Sequence, residues 1–124
     1  MTLLRIDELD HVAIRVRDVD ASARWYSETL GLVRRYDDTD AGGPLMIGTG
    51  AANLALLQTS ETLSDSERRL SHIGFRTDRA GFEAGRAALR DAGVDTRFSD
   101  HGFCVSLYFN DPDDYVLELT HYDV

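Results

Sequence analysis

Two histidines occur in the same local context 61 residues apart. The run Leu9-Asp10-His11-Val12-Ala13-Ile14-Arg15-Val16 matches Leu70-Ser71-His72-Ile73-Gly74-Phe75-Arg76-Thr77, with His on His and Arg on Arg. Both runs alternate as half-buried strands do. Val12, Ile14 and Val16 share one face, as Ile73 and Phe75 do in the second copy, so each His is placed on the opposite face. Near the C-terminus Glu118 stands between Leu117 and Leu119, a carboxylate inside an apolar strand, which is unfavourable unless something satisfies it. Two imidazoles and one carboxylate from three strands make the ligand set of a facial triad, which leaves coordination positions open for substrate, water or dioxygen. Such a set suits Fe(II), Mn(II) or Ni(II), and also Zn(II). In the first copy the position matching Glu118 is Ala55 or Leu56, depending on whether the offset is 63 or 62, and neither can bind a metal.

The elements that must position these residues follow the same duplication. After His11 and its strand, Asp18 or Asp20 is a candidate N-cap, Val19, Ala23, Tyr26 and Leu30 form an apolar stripe, and Gly31 is the expected stop. After His72 the stripe is Phe82, Gly85, Leu89 and Ala92, ending at Gly93. Strands are then expected near 32–37, 44–48 and 53–58, and again near 94–98, 103–110 and 115–120. The turn starting at Gly48 corresponds to Asp111-Pro112-Asp113-Asp114, where Pro pre-sets φ and Asp tolerates the left-handed region. The pattern is βαβββ written twice: module 1 over about 8–58, a polar connector over 59–69, and module 2 over about 70–122. A module of that size is marginal alone, so residues 1–124 are expected to form a single domain.

Composition narrows the partners. With 43% hydrophobic and 28% charged residues, the chain is of the globular class rather than disordered or fibrous. A net charge of −9 repels phosphate backbones and disfavours nucleic acid, leaving a small molecule as the expected partner. Cys104 is the lone cysteine, so neither an intramolecular disulfide nor a thiolate cage is available, and any metal must use nitrogen and oxygen ligands. No apolar run reaches the length of a signal core or membrane span. The expectation is a cytoplasmic protein without membrane contact.

The duplicated βαβββ plan, the LDHVAIRV and LSHIGFRT strands and the SLYFNDPDDYVLEL ending resemble the vicinal oxygen chelate superfamily over nearly the whole chain. That superfamily includes glyoxalase I, extradiol dioxygenases and bleomycin-binding resistance proteins. The resemblance implies an α+β fold of tandem βαβββ modules, whose mostly antiparallel sheets curl into a cup with helices outside. It implies a divalent metal at His11, His72 and Glu118, with a fourth family position filled here by Ala55 or Leu56. Asp100-His101-Gly102 followed by Ser106-Leu107-Tyr108-Phe109 resembles the region that supplies a second His and a Tyr in extradiol enzymes. His101 is thereby implied as a group that moves protons and Tyr108 as a hydrogen-bond donor to substrate oxygen. The implied activity is Fe(II)-dependent dioxygenation of a small substrate with two adjacent oxygens; Mn, Ni or Zn are the other metals. Alternatives are a glyoxalase-like lyase or isomerase, and a non-catalytic small-molecule binding protein. At the last turn Asp114 stands where family members commonly have Gly.

Other residues carry plainer expectations. Arg15 and Arg76 share faces with the histidines and either meet an anionic substrate or pair with rim carboxylates. Trp25 and Tyr26 are read as packing groups, His121 as a surface residue, and Cys104 as a small buried apolar one. The run Asp37-Asp38-Thr39-Asp40 reads as a solvated hairpin loop. A homodimer is expected, because family members pair modules across subunits and edge strands otherwise stay exposed.

Overall fold

The computed structural model describes Arg5, residues 8–35, residues 44–60, Ser64 and residues 70–124. The acidic run 37–40 and most of the 59–69 connector lie outside the described residues. The chain divides into two compact units, Met1–Glu61 and Thr62–Val124. The first contains β1 (Val12–Val16), α1 (Val19–Leu30), β2 (Val33–Arg34), β3 (Leu45–Gly48) and β4 (Asn53–Gln58). The second contains β5 (Ile73–Arg76), α2 (Arg79–Asp91), β6 (Arg97–Asp100), β7 (Val105–Asn110) and β8 (Val116–His121). Each unit is therefore the α+β succession βαβββ. Its sheet has four strands, ordered β1-β4-β3-β2 in one unit and β5-β8-β7-β6 in the other. The first and last strands of each unit run parallel, while the other pairings are antiparallel.

Local chemistry sets the helix ends. Asp18 accepts from the Ala21 amide and Asp78 from the Gly81 amide, each satisfying an amide that the first turn leaves without a partner. Gly31 closes α1 in the left-handed region at φ 71°. In α2 the exit runs further: Gly93 donates to the Arg90 carbonyl and Val94 to the Leu89 carbonyl. Those bonds hold residues 93–94 to the helix, so the ladder with β7 starts only at Arg97 opposite Tyr108, later than the expected 94–98.

The register resolves the alignment of the two copies. Ala13 pairs with Ala55, and Gly74 pairs with Glu118, so Ala55 is the counterpart of Glu118. On the neighbouring strand Met46 faces Ala55 as Tyr108 faces Glu118. The offset grows by one because the β7–β8 turn is one residue longer than the β3–β4 turn. Asp111 organises the longer turn, its Oδ1 accepting from the amides of Asp113 and Tyr115 at 2.8 and 2.9 Å. Asp114 takes φ 67°, a conformation that Asp adopts at a steric penalty Gly does not have. Asp114→Gly is expected to raise stability by about 0.5 kcal/mol, the scale of compatible Gly effects in turns, as measured by denaturant unfolding.

The first unit's core is Ile14, Val16, Tyr26, Ile47, Leu54 and Leu56, and the second's is Phe82, Leu107, Phe109 and Leu117. Tyr26 is buried as expected, Trp25 meets its ring edge at 5.0 Å, and Cys104 is buried. His121 departs from the surface expectation. It is 4% exposed, its ring lies 4.9 Å from that of Phe82, and its Nδ1 accepts from the Asp123 amide. The reason is parity: residue 121 continues the face of Leu117 and Leu119. Among the described residues no helix is long and apolar enough to cross a membrane.

Candidate functional site

Alternation in the second unit puts His72, Gly74 and Arg76 on one face of the first strand. It puts Ser106 and Tyr108 of β7, and Glu118 and Thr120 of β8, on that same face of the sheet. The opposite face carries Leu107, Phe109 and Leu117 toward the core. The polar face is thus the one left over once the apolar residues have packed, and Glu118 stands in it with a side chain 13% exposed.

His72 and Glu118 meet directly, Nε2 to Oε1 at 3.1 Å. Gly74 makes the approach possible, because a Cβ there would stand 3.1 Å from the same carboxylate oxygen. The remaining atoms of the pair are engaged from behind. Ser71 Oγ lies 2.9 Å from His72 Nδ1, and the Ser106 hydroxyl donates to Glu118 Oε2. Ser106 is fully buried and also contacts Thr120 Oγ1, which donates to the Val105 carbonyl. The buried Ser106 hydroxyl therefore supports the carboxylate and answers part of the desolvation penalty it would otherwise carry.

His11 repeats the arrangement on its imidazole. Its Nδ1 is 2.7 Å from Asp10 Oδ2, and since a carboxylate oxygen only accepts, the ring donates from Nδ1 there. Residue-before-His partners, Asp10 and Ser71, are the kind of outer contact that fixes the tautomer of a ligating His. The donor set also fits a cation. Two ligand atoms each about 2.1 Å from one metal ion, at neighbouring positions, stand about 3.0–3.4 Å apart, which is the separation of His72 Nε2 and Glu118 Oε1. Among the described residues no group of three His, Cys, Asp or Glu side chains is gathered for a metal ion; the two-residue set His72–Glu118 is what the second unit assembles by itself. Ala55, fully buried, holds the position of Glu118 in the first unit and offers no ligand atom.

His101 and Tyr108 come together as well. His101 Nε2 is 3.2 Å from the Tyr108 hydroxyl, and the Tyr108 ring meets the His72 ring edge-on at 5.7 Å. Tyr108 is directly opposite Glu118 across the β7–β8 ladder. Arg76 pairs with no carboxylate among the described residues; its guanidinium sits 4.4 Å above the Tyr122 ring. Ser71, Gly74, Ser106 and Thr120 were not singled out from the sequence. The period-2 spacing of Ser106 and Tyr108 on an otherwise apolar strand is the signal that marks Ser106. Ser106→Ala is expected to weaken divalent-metal affinity by about 10–100-fold, the range for outer partners of a metal site, as read by metal titration.

The chain matches known proteins in sequence and in fold. A model of the Glyoxalase/Bleomycin resistance protein/Dioxygenase superfamily matches residues 8–119. Glyoxylase I 4 of Arabidopsis thaliana is 27% identical, over 97% of this chain and 74% of that protein. Glutathione transferase FosA of Serratia marcescens is 27% identical, over 92% of this chain and 80% of that protein. The crystal structure of the fosfomycin resistance protein FosX from Mesorhizobium loti superposes with TM-score 0.71 at 26% identity, covering 94% of this chain and 93% of that one.

Proposed function

Because this chain belongs to the Glyoxalase/Bleomycin resistance protein/Dioxygenase superfamily, we propose that it is a divalent-metal enzyme of the Fe(II) extradiol dioxygenase type. Its substrate is a small molecule with two adjacent oxygens, and its metal ligands are His72, Glu118 and His11. The observation that carries this reading is the 3.1 Å approach of His72 Nε2 to Glu118 Oε1, with the far side of each group already held. A bound divalent cation would supply Lewis acidity and, as Fe(II), a path for electrons from the diol substrate, which is the reductant, to dioxygen; Mn(II), Ni(II) or Zn(II) are the other candidates.

The chain's own groups then have separate tasks. Glu118 contributes the negative charge of the ligand set, and Ser106 keeps its second oxygen occupied so that Oε1 points to His72. The Tyr108 hydroxyl and His101 Nε2 share one hydrogen bond, which lets the pair take a proton from a substrate hydroxyl and return it later. Tyr108 also stands beside His72, their rings edge-on at 5.7 Å, where its hydroxyl would be placed to hydrogen-bond a substrate oxygen. The protein supplies geometry and proton handling.

A second reading is favoured by the names of two relatives, a glyoxylase and a glutathione transferase. In it the same residues hold adjacent substrate oxygens for a lyase, isomerase or transfer reaction that consumes no dioxygen. The test is metal reconstitution of wild type and His72→Ala, followed by oxygen-electrode assays with catechols. One divalent ion per site in the wild type only, with oxygen uptake, supports the dioxygenase. Metal retention without oxygen uptake moves the assignment to the second reading. No metal retained under any reconstitution overturns both and leaves a non-catalytic binding protein. The soluble setting proposed is cytoplasmic and the assembly a homodimer, checked by fractionation and by light scattering.

A further inference from the structure

Arg76 is a cation in a chain of net charge −9, yet among the described residues no carboxylate or carbonyl accepts from it. It is held instead by Tyr122, 4.4 Å from guanidinium carbon to ring centroid. A guanidinium held over a ring face by a cation–π contact spends no N–H donor on that contact, so its fork of donors is left for a planar oxyanion. Arg76 is also on the right face. It pairs with Thr120 one same-face level beyond the Gly74–Glu118 pair, a step of about 6.6 Å along a strand.

The rim between the two places is aromatic and continuous. From His72 the ring contacts run to Tyr108 at 5.7 Å, from Tyr108 to His101 at 6.5 Å, and from His101 to Phe103 at 6.4 Å. Phe103 then meets Tyr122 at 6.2 Å, and Tyr122 carries Arg76. Phe103 is 68% exposed and Tyr122 47% exposed, so these rings present apolar faces to a ligand rather than to the core. Glu118, Ser106 and Thr120 share the sheet face of Tyr108 and Arg76.

We propose that Arg76, stacked on Tyr122, is an anion subsite that receives a carboxylate on the substrate, so that the chain selects planar aromatic substrates bearing an anionic group one ring length from their adjacent oxygens. The substrate class rests on the reading of His72–Glu118 given above; the anion subsite does not. The bidentate match of guanidinium and carboxylate supplies the preference, and the aromatic arc supplies the face on which a planar ring lies.

Two measurements separate this inference from the metal site. In the first, metal-free protein is titrated with benzoate and followed by NMR at the Arg76 Nε–H and Tyr122 ring resonances. Shifts that saturate, survive in His72→Ala and vanish in Arg76→Gln support the subsite; no shift, or the same shift at other residues in Arg76→Gln, overturns it. In the second, Zn(II)-loaded protein is titrated calorimetrically with catechol and with 3,4-dihydroxybenzoate. A preference of about tenfold for the carboxylated diol, lost in Arg76→Gln and partly kept in Arg76→Lys, is expected from a charge-assisted pair. Equal affinities in the wild type overturn the subsite while leaving the metal site standing. Benzoate binding with neither diol bound overturns the metal site and the substrate class while leaving the subsite standing.

Discussion

Glu118→Ala is expected to abolish stoichiometric divalent-metal binding, lowering affinity by on the order of a thousandfold or more, beyond the 10–100-fold that outer partners command. Catalytic turnover is expected to fall with it. The same substitution is expected to leave the fold intact, and the first unit supplies the reason. Ala55 occupies the identical register position in β4, opposite Ala13 and Met46, so a βαβββ sheet closes with a methyl group there. Ser106 keeps its contact with Thr120 after the carboxylate is gone, so no buried hydroxyl is orphaned. Metal titration paired with denaturant unfolding checks both halves. Lost metal affinity with a midpoint changed by less than the equivalent of about 1 kcal/mol, within the scatter of ordinary point substitutions, is the expected pattern. A variant that unfolds would instead show that Glu118 is held for the sheet's sake.

Phe82→Ala is expected to do the reverse. Phe82 is 1% exposed and fills the space between α2 and the sheet, with its ring 4.9 Å from His121 and 6.3 Å from Phe98. Truncation removes the apolar transfer term and leaves a cavity that rigid neighbours fill poorly, a loss of about 3–5 kcal/mol. A domain of this size then melts roughly 10–20 °C lower. Phe82→Leu retains most of the volume and is expected to lose under half as much. Calorimetry with both variants checks the ratio, and equal losses would mean that ring contacts rather than volume dominate. Phe98→Ala serves as contrast, since that ring is 48% exposed and Arg86 covers it at 4.8 Å.

These two predictions mark a division within one strand. In β8, Leu117, Leu119 and His121 continue the core face, while Glu118 and Thr120 belong to the polar face. The sequence already contains this division as period-2 alternation, which is why Glu118 stood out and why His121 was open to correct placement by parity. Reading His121 as a surface residue followed its polarity and its position at the end of the strand. The packing of its ring on Phe82 outweighed both.

The duplication, the succession βαβββ in each unit, the Gly31 stop and the need of Glu118 for a partner were legible in the amino-acid order; the choice of Asp18 over Asp20 as N-cap was not. The legible features all depend on short-range periodicity, or on the rule that a charged group in an apolar strand needs a partner. The tertiary structure decided the rest. Whether Ala55 or Leu56 answers to Glu118 depends on a one-residue difference in turn length, which only the ladder Ala13–Ala55 and Gly74–Glu118 resolves. Support of Glu118 by Ser106, and room for it beside Gly74, arise between strands 12 and 44 residues apart in sequence, where no local pattern ties the residues together. The seat of Arg76 on Tyr122 is likewise a cross-strand result. Sequence alternation assigns a residue to a face, but only the paired register brings two residues of that face to the same spot.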